Sequence, residues 1–153
     1  MVDSEKRSSD NISWLSILSF GSFLVLLGVI WIVTPNLYSE IVDFVNDFHL
    51  EHLTESIVLP APQHYHPVVY TAIKSFCLIF GAVQVVILAL GFMIHESVDK
   101  KSGTASNIAF WFSMGLFSSL LSDKAIGWFS FLAGLIISAG LAIVVNSAVK
   151  LFK

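Results

Sequence analysis

Four long stretches of this chain carry no Asp, Glu, Lys or Arg: Asn11 to Ser39, Ser75 to His95, Ser102 to Ser122, and Ala125 to Val149. A helix rises 1.5 Å per residue, so about 20 mostly apolar residues cross a hydrocarbon core of ~30 Å. Backbone polar groups cannot stay unpaired in lipid, so each run is predicted to be helical. The spans read as residues 12–34, 67–95, 105–121 and 125–150. In the first, Asp10 or Asn11 can cap the start, Pro35 stops the helix, and Trp14 and Trp31 lie near the two interfaces. It is too long for a signal-peptide core and no small-residue cleavage site follows, so it is expected to remain as an anchor. The second span opens on Pro67, a good first-turn residue, and Lys74 can snorkel to the interface. The third carries Ser106, Ser113, Ser118 and Ser119 and is the least apolar. Ser122, Asp123 and Lys124 leave room only for a tight turn, so spans three and four should form an antiparallel hairpin.

Between spans one and two, residues 36–66 follow a different pattern. Residues 36–58 read as an amphipathic helix. Glu40, Asp43, Asp47, Glu51 and Glu55 recur every three or four residues and stack on one arc. Leu37, Ile41, Val42, Val45, Phe48 and Leu53 fall mostly opposite. Such a helix should lie flat on the outer surface. Its polar face is wholly acidic, so anionic lipid does not suit it; a protein neighbour, a cation or plain solvation does. The expected fold class is therefore an all-α membrane protein. It forms a single membrane domain over 1–153, with four transmembrane helices and an amphipathic outer-surface helix.

Composition agrees. Of 153 residues, 56% are hydrophobic and only 12% charged, against about 25% charged in soluble domains; the mean hydropathy is +0.81. The basic residues set the orientation. Lys6, Arg7, Lys100, Lys101, Lys150 and Lys153 fall on one side of a four-span layout, and only Lys74 and Lys124 on the other. The positive-inside rule then predicts a cell-membrane protein with both termini cytoplasmic and residues 35–66 extracytoplasmic. A net charge of −3 without a basic patch gives no reason to expect nucleic-acid binding. The lone Cys77 sits in an apolar run and reads as a small buried hydrophobe.

Candidate chemistry concentrates outside the membrane. Four of the five histidines, His49, His52, His64 and His66, lie in the outer segment. On a helix His49 and His52 are one turn apart and can face one spot. His64 and His66 flank Tyr65 before Pro67 and, in extended chain, point the same way. Imidazole suits copper or zinc, so the four are a candidate metal site; interfacial imidazoles bridging water and headgroups are the plainer reading. Inside the membrane, Gln84 and the ladder Ser130, Gly134, Ser138, Ala142 and Asn146 form a candidate helix-packing set, because small residues every fourth position let another backbone approach closely. No phosphate loop, dinucleotide fingerprint, CxxC, HExxH or GxSxG motif occurs, and no nucleophile–base pair is visible. No enzyme and no cofactor is expected beyond that candidate copper or zinc. The absence of a mid-membrane acid or base argues against proton or ion transport.

The stretches Thr34-Pro-Asn-Leu-Tyr38, Leu59-Pro-Ala-Pro62 and His66-Pro-Val-Val-Tyr70 resemble a group of small archaeal integral membrane proteins with four spans. The resemblance implies a four-helix membrane protein with a structured outer loop, and it brings no functional residues. The leading expectation is a non-catalytic accessory or structural subunit of a larger membrane complex. Its partners are the lipid bilayer and other membrane subunits, or further copies of itself. One specific form would serve an archaeal membrane oxidoreductase or copper monooxygenase. The alternatives are an outward-facing metal-binding protein and a small homo-oligomeric transporter or channel.

Overall fold

A computed structural model describes residues 14–54, 57–95 and 97–151. The chain runs α1 (Trp14–Val33), α2 (Leu37–Asn46), β1 (Phe48–Thr54), β2 (Ile57–Pro62), α3 (Pro67–Met93), α4 (Val98–Ser122) and α5 (Trp128–Leu151). Among the described residues three helices are long and apolar enough to cross a membrane: α1 from Leu15, α3 and α5. The helical membrane class expected from the charge-free runs is thus present. The third predicted span is a helix too, but it starts at Val98 rather than near residue 105. Its first turns carry Asp99, Lys100 and Lys101, a polar helix end that a search for apolar runs cannot see. After α3, His95 lies in the left-handed region at φ 55°.

α4 packs between α3 and α5, and α1 lies against α3. Close approach depends on glycines facing large side chains. A Cβ at Gly134 on α5 would overlap the Phe117 ring of α4, and one at Gly115 on α4 would fall 2.6 Å from Leu78 Cδ2 of α3. Lipid offers no hydrophobic gain for helix association, so such fitted contacts and interhelical hydrogen bonds hold spans together. Ser106 Oγ on α4 donates to the Ala142 carbonyl on α5 at 2.7 Å, whereas Ser138, fully buried, donates back to the Gly134 carbonyl of its own helix at 2.8 Å. α1 joins through Phe23, whose ring meets Phe76 and Phe80 edge-on at 5.2 and 5.5 Å. Most of its remaining apolar surface is uncovered; among the residues of α1 whose burial is described, Leu15 and Leu26 are the buried ones.

The outer segment departs from the sequence reading. The predicted helix over 36–58 ends at Asn46, and β1 and β2 follow as a two-stranded antiparallel hairpin. Phe48 pairs with Pro62, Leu50 with Pro60 and His52 with Val58. Pro60 and Pro62 lie past the predicted helix and are tolerated on an edge strand. The return strand is also drawn back to the end of α2, where Gln63 N–H donates to the Asp47 carbonyl at 3.2 Å. The acidic ladder therefore stops being one face. Glu40 and Asp43 lie on α2, Asp47 closes it, Glu51 is on β1, and Glu55 lies outside the described residues.

Candidate functional site

The outer histidines do not converge. His49 and His52 are an odd number of residues apart on β1, so their side chains leave opposite faces of the hairpin; the one-turn spacing assumed a helix that is not there. His64 and His66 do share a target, as extended backbone requires, but it is Asp47. His64 Nδ1 lies 2.6 Å from Asp47 Oδ1, and His66 Nε2 lies 3.0 Å from Oδ2. The His64 backbone N–H donates to Oδ2 at 2.6 Å. An ionised carboxylate only accepts, so the facing ring nitrogens carry the protons. The His64 ring first, then its backbone N–H and the His66 ring, hold the Asp47 carboxyl well below the usual carboxylate range. Among the described residues no group of three or more His, Cys, Asp or Glu side chains is placed to hold a metal ion.

This knot sits on an aromatic floor. Phe44 meets His66, Tyr70 and Trp128 edge-on at 5.3, 6.0 and 5.8 Å. Trp128 Nε1 donates to the Pro60 carbonyl at 3.1 Å, pinning β2 to the start of α5. Tyr65 donates its hydroxyl to the Ser122 carbonyl, and Lys124 Nζ lies 4.4 Å above the Tyr65 ring. Tyr70, Leu121 and Phe131 form the buried cluster beneath. Asp47 was read only as part of the acidic ladder, and neither Phe44 nor Trp128 stood out in the sequence, since the contacts that join them span up to 68 residues. The only local signal was the extended His64-Tyr65-His66 ahead of Pro67.

The packing set fares differently. Gly134, Ser138 and Ala142 all face α4, while Ser130 is exposed. Asn146 has a buried Oδ1 with no hydrogen-bond partner among the described residues. The stripe is thus occupied largely within the chain. Gln84 works elsewhere: 1% exposed, it donates from Nε2 to Ser19 Oγ at 2.6 Å and ties α3 to α1. Beside it, α1, α3 and α4 part around a cleft of about 640 Å³ that Lys100 and Lys101 also line. A second, apolar gap of about 470 Å³ lies on the other side of Trp111, which lines both.

Comparison with protein-family models, curated proteins and solved structures finds no match. The functional reading therefore rests on the chain's own chemistry.

Proposed function

We propose that this chain is a four-span, non-catalytic subunit of a larger membrane assembly, and that its outer cap is the docking face. The fourth span is α4. Its 25 residues extend about 37 Å, and it is wedged between two apolar helices of similar length. An even number of spans leaves both termini on the side of Lys100, Lys101 and Lys150, which the positive-inside rule makes cytoplasmic. The cap is then outside.

The observation that carries the docking role is the hairpin. It shows Leu50, 71% exposed, and Ile57, 51% exposed, with Val58 and Leu59 also uncovered. Leu50 and Val58 lie on one face of it and Leu59 on the other. A two-stranded hairpin is marginal alone, and contiguous exposed apolar surface marks an interaction site. Here the hairpin is fastened at its base and carries uncovered apolar side chains on both faces beyond it, the form of a presented surface. The test is the size of the assembly extracted from native membranes in mild detergent. The wild-type chain should travel in a complex well above its own 16.8 kDa and detergent. Leu50→Asp with Leu59→Asp should release it as a folded monomer. A wild-type chain that already runs alone refutes the proposal.

A further inference from the structure

The two outer edges of the hairpin are not alike. In an antiparallel pair, residues alternate between positions that bond across to the partner strand and positions whose N–H and C=O point away from it. Three observations fix the alternation here. Pro60 and Pro62 have no N–H, so they belong at positions that point away. The Pro60 carbonyl does leave the hairpin, to accept from Trp128 Nε1 at 3.1 Å. Gln63 N–H, one residue past β2, donates to the Asp47 carbonyl at 3.2 Å, so the odd-numbered residues are the ones bonded across. The outer edge of β2 is thus closed by two prolines and an indole. On β1, Phe48, Leu50 and His52 stand opposite Pro62, Pro60 and Val58, and their backbone groups point away from β2. None of them is a proline. Among the described residues no further strand pairs with this edge, and no backbone bond joins Leu50 or His52 to another element. His49 to His52 are all exposed. An open edge of this kind accepts an extended segment.

The side chains of β1 say which segment fits. Laid antiparallel against its own copy with the two-fold axis at Leu50, β1 sets Leu50 opposite Leu50 and, twice, His49 opposite Glu51. Even-numbered residues then face even-numbered ones, so the outward N–H and C=O groups of both strands meet. His49 and Glu51 fall at the non-bonded positions of the new pair, where side chains approach closest, and an imidazole N–H can donate to a carboxylate. Neighbouring registers lose this match. An axis at Glu51 sets that carboxylate against its own copy, and an axis at His49 sets Glu51 against Asp47; like charges directly opposite oppose pairing.

We propose that β1 of a second copy of this chain adds to the β1 edge in the register centred on Leu50, joining two hairpins into one four-stranded sheet. The proposal rests on the docking role of the cap and names its occupant. It also fixes an orientation. Antiparallel pairing puts the two-fold axis perpendicular to the sheet, and two copies inserted the same way share an axis along the membrane normal. The joined sheet therefore lies along the bilayer surface.

Disulfide trapping in native membranes tests this, with the full chain carrying Cys77→Ala so that an introduced thiol is the only one. Opposed residues at bonded positions lie about 5.5 Å apart at Cα, within disulfide reach. Leu50→Cys should therefore cross-link into a dimer under copper phenanthroline. Glu51→Cys should not, because Glu51 and its copy are diagonal neighbours ~7–8 Å apart. Dimer fraction in mild detergent supplies a second readout without cysteines. Leu50→Pro removes an outward N–H, leaves the bonds to β2 in place and should abolish the dimer. His49→Glu should weaken it about tenfold through two like-charge pairs, and His49→Glu with Glu51→His should restore it. Cross-linking at Glu51→Cys in place of Leu50→Cys, or no rescue by the exchange, overturns the proposal. A chain that gives no Leu50→Cys dimer yet still travels in a large complex overturns it too, and leaves the docking role to a foreign partner. A wild-type chain that runs alone overturns both.

Discussion

At one end of the bundle, α2 and the hairpin are fastened down by hydrogen bonds to Asp47, by Trp128 on the Pro60 carbonyl and by Tyr65 on the Ser122 carbonyl. At the other end, α1, α3 and α4 part around a cleft with lysines at its mouth. The contrast follows from what each end must do. A cap in water has no lipid pressure to keep it seated, and a two-stranded hairpin buries little; Ala61 is its one buried side chain among the described residues. Directional polar bonds and stacked rings supply what burial does not. Between the ends, the helices rely on fit, and where the fit stops, lipid can enter.

The largest expected effect attacks the fit that both ends hang from. Gly134→Val forces a branched side chain into the Phe117 ring. Overpacking of a fitted seam costs about 1–3 kcal/mol, and the contact is with a ring face that cannot simply swing away. Gly140, on the same helix, has nothing within 4 Å of its Cβ position, so Gly140→Ala should be close to neutral. Unfolding by denaturing detergent should separate the two variants. Equal stability would show that α4 and α5 are not held by this seam.

Next comes the cap's anchor. Asp47→Asn removes the charge that three donors from His64 and His66 converge on. Hydrogen exchange across Phe48–Pro62 should accelerate by about an order of magnitude, since a charge-assisted cluster is lost, while α3 to α5 keep their protection. His66→Ala should do more than His64→Ala, because His66 is buried and also packs on Phe44, whereas the His64 side chain is 74% exposed. The pH dependence follows from the sign of the shift. The folded carboxyl is held below its unfolded value near 4. Its contribution is complete above that value and is lost only as pH falls through the lower folded one. Wild-type protection in the hairpin, taken relative to the intrinsic exchange rate at each pH, should therefore hold steady down to about pH 4 and fall only in stronger acid; in Asp47→Asn this acid-dependent loss should be absent.

These contacts also mark the boundary of what the sequence made legible. Charge-free runs located α1, α3 and α5 because lipid imposes one rule on every residue at once. They placed the start of α4 late, because Asp99 to Lys101 satisfy helix rules but not lipid rules. The small-residue ladder on α5 was readable as a seam, yet nothing local said that Phe117 fills it. The outer segment misled because Asp47, Glu51 and Glu55 keep a helical spacing across a stretch that Pro60 and Pro62 fold back into a hairpin. Asp47 itself looked like one more solvated acid. Its role depends on partners 17 and 19 residues away brought back by β2, and period-based reasoning has no access to such a return.

The smallest expected effect sharpens the comparison between the ends. Among the described residues a long ion pair joins neighbouring elements at each end: Lys74–Asp123 at 3.9 Å at the cap end and Lys150–Asp99 at 3.8 Å at the opposite end. At these separations and exposures each should be worth under about 1 kcal/mol. Lys74 is 31% exposed against 47% for Lys150, and it sits beside the Thr71–Ser122 hydroxyl contact of 3.2 Å, so less of its attraction is screened. Lys74→Gln should therefore cost slightly more than Lys150→Gln in the same unfolding assay, and raising the salt should shrink both differences. If Lys150→Gln instead costs as much as Gly134→Val, the inner end is closed electrostatically, and the opening between α1, α3 and α4 is not a feature the bundle is free to keep.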